Sequence, residues 1–247
     1  MSALSVTVLG CSGTYAAAGE ACSGYHVQSA TTSLWVDCGP GTLANLQEHV
    51  GIENLDALLV SHHHPDHCAE LPVVYNAVKY FTQRANLKVL TTVGVQQVTD
   101  AFHPDGDSSD LFEWEIVEDR AASVVGDITI RFSRTDHPVE TLAMSFTLGD
   151  KSIFYTADTG PNWSLSNLGI KPSLVLGEGT LTETTKDLSI PHICCRHLAS
   201  EASKVEAKRL VVTHIPPNSD RSVHLAEAEM AFSGIVDLAA TGSIFTV

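Results

Sequence analysis

Apolar residues recur along this chain at two spacings, one of strands and one of helices. Short runs rich in β-branched residues predict strands over Ser5–Leu9, Tyr25–Ser29, Ser33–Asp37 and Ala57–Ser61. Within 39–51, Leu43, Leu46 and Val50 stand on one face of a helix that Gly51 stops. Leu71, Val74, Val78 and Phe81 repeat that spacing and predict a second helix. Lys88–Thr92, Ile128–Ser133, Ala143–Leu148, Ile153–Thr156, Ser173–Gly177 and Arg209–Thr213 read as further strands, with Gly149 and Asp150 joining two of them in a turn. Ser200–Lys208 and Ser222–Phe232 read as helices, and the polar stretch Pro104–Asp110 as a surface loop. Strands with mixed connections and helices in both halves predict an α/β fold, two sheets sandwiched between helix layers.

No repeat, low-complexity tract or Pro/Gly/Ser linker divides the 247 residues, so residues 1–247 are expected to form a single domain. With 44% apolar and 17% charged residues, the composition is that of a packed globular protein rather than a disordered one. A formal net charge of −15 repels phosphate backbones and makes long nucleic acid a disfavoured partner. No apolar run reaches the roughly 18 residues of a membrane span, so no membrane association is expected. Val8–Cys11 superficially resembles a lipoprotein processing site, but the apolar stretch is short and no basic residue precedes it, so it reads as a strand end. The six cysteines have no CxxC spacing, and Cys194 and Cys195 are adjacent. That pattern predicts neither a disulfide framework nor a zinc ribbon, and a reducing cytoplasm is the expected location.

The chemistry concentrates after the apolar residues Leu58, Leu59 and Val60, in Ser61-His62-His63-His64-Pro65-Asp66-His67. Imidazole and carboxylate together suit zinc, iron or manganese, and His62, His64, Asp66 and His67 offer four such groups within six residues. A solvated polar loop is the competing reading, and a purification tag would not be internal or interleaved with Pro-Asp. His137, Asp158 and His214 each stand where a predicted strand gives way to a loop. Any one of them alone would be an ordinary polar residue. With the cluster they make seven ligands, enough for two metals sharing one carboxylate.

The run His62 to His67 matches the HxHxDH signature of the metallo-β-lactamase superfamily, and His137, Asp158 and His214 resemble its later motifs in the same order. The resemblance implies a four-layer αββα sandwich with two divalent ions, zinc in the first place and manganese or iron as alternatives. It implies that His62, His64 and His137 hold one ion, that Asp66, His67 and His214 hold the other, and that Asp158 bridges them. The opening Val6-Thr7-Val8-Leu9-Gly10-Cys11-Ser12-Gly13, the segment around Asp158 and the block from His197 to Pro217 resemble the ribonuclease Z branch. There Glu178 resembles the Glu of the HEAT segment and His197 the His of the HST loop, although Gly177 replaces His and Leu198-Ala199 replace Ser-Thr. The 21-residue interval from His137 to Asp158 reads as one hairpin, with no room for a tRNA-binding arm. Cys22-Ser23-Gly24-Tyr25 and Thr213-His214-Ile215-Pro216-Pro217 add a likeness to actinobacterial cyclic-nucleotide phosphodiesterases.

These features together predict hydrolysis of a small 3',5'-cyclic phosphodiester to the 5'-monophosphate by a hydroxide shared between the ions. Asp66 would ligate and orient the nucleophile, His197 would protonate the leaving alkoxide, and Glu178 would orient His197. His26, His49, His103, His192 and His224 lie outside the motifs and are expected to pack or face solvent. Three other readings stand beside this one: RNA 3'-end processing, hydrolysis of lactones or other esters including phosphoesters, and a silent metal-binding module. The complete ligand set argues against the last. A homodimer is implied by the resemblance alone.

Overall fold

A computed structural model describes residues 3–82, 84–103, 106–187 and 189–247. Two seven-stranded sheets lie face to face. The first contains β1 (Ser5–Gly10), β2 (Gly24–Gln28), β3 (Ser33–Val36), β4 (Ala57–Val60), β5 (Leu87–Thr91), β6 (Phe112–Ile116) and β14 (Ile244–Thr246), in the order β14-β1-β2-β3-β4-β5-β6. The second contains β7 (Ala122–Val125), β8 (Ile128–Arg134), β9 (Leu142–Leu148), β10 (Lys151–Tyr155), β11 (Leu174–Glu178), β12 (Arg209–Thr213) and β13 (Ile235–Leu238), in the order β13-β12-β11-β10-β9-β8-β7. Strands β3 to β6 run parallel, as do β10 to β13, while the other pairings are antiparallel.

The two-residue period of a strand explains why both sheets are covered on both faces. Along β4, Ala57 and Leu59 enter the core between the sheets, whereas Leu58 and Val60 enter a second core beneath helices. Leu46 of α1 (Thr42–Leu46), Leu71 and Val74 of α3 (Leu71–Ala77) and Val95 of α4 (Val93–Ala101) close that second core. On the far side Val175 and Val212 meet Leu198, Ala199 and Ala202 of α5 (Cys195–Lys204) and Ala228 of α6 (Arg221–Glu229). The result is the expected αββα sandwich. Among the described residues, no helix is long and apolar enough to cross a membrane.

Several elements depart from the sequence pattern. Helix α1 covers only five residues, and the segment 71–81 is α3 followed by a π-helical turn at Val78–Thr82. Strands β6, β7, β13 and β14 and helix α4 were not predicted. The four strands are sheet edges or next to nothing on one side, so exposed Ile116, Val124, Ile235 and Ile244 blur the apolar alternation. Helix α5 begins at Cys195, five residues ahead of the predicted Ser200, which puts His197 inside its first turn. Of the predicted loop Pro104–Asp110, residues 104 and 105 lie outside the described residues.

Candidate metal centre

The side chains that carry chemistry project from the C-terminal ends of strands, where the two sheets share an edge. His62 and His64 follow β4, His137 follows β8, Asp158 follows β10, and His214 follows β12. Asp66 and His67 sit on the single turn α2 (Pro65–Cys68), which Pro65 opens. Asp37, Ala157 and His214 adopt left-handed backbone conformations, with φ of 56°, 49° and 57°. Such a conformation costs a non-glycine residue on the order of 1 kcal/mol, and here it recurs where strands hand over to site residues.

The seven sequence-predicted ligand residues converge. His62, His64, His137 and Asp158 offer ligand atoms within 4.8 Å of one another, as do Asp66, His67 and His214. Asp158 faces both sets. Its Oδ1 lies 3.3 Å from His67 Nε2 and 3.4 Å from His214 Nε2, and its Oδ2 lies 3.6 Å from His62 Nε2 and 4.0 Å from His137 Nε2. His63 turns aside and packs against Gly94.

The donor set fits divalent ions. His64 Nδ1 lies 3.0 Å from His62 Nε2 and 3.1 Å from His137 Nε2, so three imidazole nitrogens point at one place. Asp158 Oδ1 is buried and accepts no hydrogen bond. Burial and neighbouring imidazoles push His62, His64 and His137 below the ordinary histidine range, into the neutral form that ligates. Burial would also lower His67, yet Asp158, Asp37 and Asp66 hold it well above that range. Burial would raise Asp66 and Asp158, but His67 and His214 keep both below the usual carboxylate range. Both carboxylates are therefore held in the ionised form that ligates.

Surrounding groups fix the rings. Asp37 accepts from His67 Nδ1 at 2.8 Å, from Ser61 N at 2.7 Å, from Ser61 Oγ at 3.0 Å and from the Tyr155 hydroxyl at 2.5 Å. Ser61 Oγ is also 2.9 Å from His62 Nδ1, so one buried carboxylate steadies a ring from each ligand set. His137 Nδ1 donates to the Pro191 carbonyl at 3.2 Å, and Thr14 N donates to Asp66 Oδ2 at 2.9 Å.

A cavity of about 530 Å³ opens beside His137, lined among others by Pro161, Asn162, Lys186, His192 and His197. Here the expected pairing of Glu178 with His197 is corrected: Glu178 Oε1 accepts from His192 Nδ1 at 3.0 Å. Glu178 also accepts from Thr159 N at 2.7 Å, anchoring the turn that carries Asp158. The early start of α5 holds His197 on the helix, and burial lowers its basicity. Burial would lower His192 too, but Glu178 raises it to about 9. His192 also stacks on His214, with ring centroids 5.3 Å apart, and lies within ligand distance of Asp158 and His214. The expectation that His192 merely packs or faces solvent is thus overturned. Asp37, Thr180 and His192 were missed because none belongs to a spaced cluster; the one available signal for His192 was a second histidine five residues before His197.

The family described as "Beta-lactamase superfamily domain" matches residues 32–215. Over 98% of this chain and 99% of the relative, the sequence is 29% identical to the probable metallo-hydrolase YhfI of Bacillus subtilis. The solved structure of YhfI superposes with a TM-score of 0.90 over 100% of both chains. The uncharacterized protein Rv1339 of Mycobacterium tuberculosis is 30% identical over 98% of this chain and 92% of its own. The human tRNase Z short form shares the fold at 17% identity, with a TM-score of 0.79 over 98% of both chains.

Proposed function

This chain belongs to the metallo-β-lactamase superfamily, and on that premise we propose that it is a dinuclear metal-dependent phosphodiesterase that opens small cyclic nucleotides. The observation that carries the reading is the pair of ligand sets sharing Asp158, set beside a His192 hydrogen-bonded to Glu178 and a cavity of about 530 Å³. His62, His64, His137 and Asp158 would hold one ion, and Asp66, His67, His214 and Asp158 the other. Divalent ions there, zinc or manganese, supply a water of lowered pKa and neutralise charge on a phosphoryl group.

The chain's own residues do the rest. Asp66, braced by the Thr14 amide, presents an acceptor that orients the attacking water. A phosphodiester gathers a second negative charge in the transition state, and His192 and Lys186 bring positive charge to the cavity wall. The departing ribose alkoxide is strongly basic and needs a proton. His192 can deliver one, because Glu178 holds Nδ1 and keeps the ring charged at neutral pH. His192 lines the cavity wall and is hydrogen-bonded to Glu178, a placement that suits it to proton delivery rather than to holding an ion.

Two observations favour a small substrate over folded RNA. The interval between His137 and Asp158 is filled by the β9–β10 hairpin, and the net charge is −15. Purified protein supplied with manganese or zinc should convert cyclic AMP to 5'-AMP, lose turnover with chelator, and lose it in Asp158→Ala. Cleavage of precursor tRNA or of lactones in preference to cyclic nucleotides would refute the substrate assignment. Turnover that persists in the metal-stripped protein would refute the reaction itself.

A further inference from the structure

The second ligand set contains two histidines whose outer nitrogens must be held by something other than an ion. For His67 the partner is Asp37, directly. For His214 it is the hydroxyl of Thr180, 2.8 Å from Nδ1 and almost wholly buried. That hydroxyl lies 2.6 Å from Glu178 Oε2, and Glu178 is the carboxylate that also accepts from His192.

The hydroxyl has one proton to give, and counting protons fixes the direction of the chain. Glu178 is an acceptor at 2.6 Å, nearer than the His214 carbonyl at 3.2 Å, so the Thr180 proton goes to Glu178. The oxygen is then free to accept from His214 Nδ1–H. With its proton on Nδ1, His214 turns an unprotonated Nε2 toward Asp66 Oδ2 at 3.2 Å and Asp158 Oδ1 at 3.4 Å. The left-handed backbone at His214 and the close approach of Gly13 to its carbonyl and ring leave few other orientations.

We propose that Thr180 is a positioning residue that fixes the His214 tautomer and couples the second ligand set to the hydrogen-bonded pair Glu178–His192. One carboxylate thereby serves a ligand through a hydroxyl and a proton donor directly. A serine keeps both functions of the hydroxyl, whereas a valine of nearly the same shape keeps neither. The inference rests on the metal-hydrolase reading above.

Its test is calorimetric titration of metal-stripped protein with zinc, alongside turnover of cyclic AMP. Wild type should bind two ions. Thr180→Val should weaken one of them about 10–100-fold, with Thr180→Ser near wild type. Glu178→Gln should weaken the same ion, and the double variant should bind little worse than Glu178→Gln alone. Equal binding by Thr180→Val, failure of Thr180→Ser to restore it, or simple additivity with Glu178→Gln overturns the proposal. Should Thr180→Val not fold, ¹⁵N-histidine spectra of zinc-loaded wild type decide it: an exchange-protected proton on His214 Nδ1 supports the proposal, and its absence sinks it. If wild type binds no zinc at all, the metal-hydrolase reading fails first and this inference falls with it.

Discussion

Asp37→Asn removes charge from a buried carboxylate that accepts four hydrogen bonds at the site while leaving its volume almost unchanged. Asparagine tolerates the left-handed φ of 56° at this position, so backbone strain does not explain the outcome. Asp37 Oδ2 accepts from Ser61 Oγ, His67 Nδ1 and the Tyr155 hydroxyl, and Oδ1 accepts from Ser61 N. The amide oxygen of asparagine best replaces Oδ2, which turns its NH₂ toward the Ser61 N–H. One buried donor left unmet costs ~1–3 kcal/mol, and each remaining bond loses part of its charge assistance. Relief of carboxylate desolvation offsets some of this, leaving a net destabilisation of about 3 kcal/mol. His67 Nδ1 then donates to a neutral amide oxygen instead of a carboxylate, which holds its proton less firmly and should weaken ion binding about 10–100-fold. Urea unfolding of the metal-free protein and competition with a chromogenic chelator measure the two effects separately. Tyr155→Phe is the control: it removes one donor and leaves the carboxylate, so stability should fall by about 1 kcal/mol with ion affinity retained. Wild-type stability and wild-type ion affinity in Asp37→Asn would show that Asp37 does not organise the site.

His192→Ala should lower kcat for cyclic AMP by about 10²–10⁴-fold, far less for an ester with a nitrophenolate leaving group, and leave zinc stoichiometry unchanged. An equal loss on both substrates would remove His192 from proton delivery. Saturating zinc at about 100 times its dissociation constant should stabilise the fold by about 2.7 kcal/mol per site, seen as a chelator-reversible rise in Tm. Buried His26 is held down to about 4 by desolvation, with His49 contributing. Between about pH 6.5 and 4 the unfolded chain therefore takes up a proton that the folded chain refuses, so stability falls as pH drops through that window and levels off below it. Metal-free His26→Gln should lose about 3 kcal/mol less than wild type between about pH 7 and pH 4, and parallel curves would contradict the assignment.

The sequence alone determined what depends on local spacing. The strand-to-loop passage at Val60 and the run His62 to His67 are contiguous, so an apolar strand followed by ligand-type residues was readable without coordinates. The alternation of Leu58 and Val60 with Ala57 and Leu59 likewise reflects burial on both faces of a sheet, a property of each strand taken singly. The edge strands escaped because an exposed face has no fixed apolar period to read.

The tertiary structure alone decided which groups meet. Asp37 reaches His67 beyond the neighbouring strand of its own sheet, and Tyr155, 118 positions away, across the interface between the sheets. Glu178 chooses His192 over His197 because α5 begins at Cys195 and carries His197 on its first turn, while His192 remains in the preceding segment. A lone Thr, Asp or His carries no periodic signal, and its role comes from partners supplied by distant strands. Ligand types were therefore legible one by one, whereas the hydrogen bonds that fix their tautomers exist only once the two sheets pack.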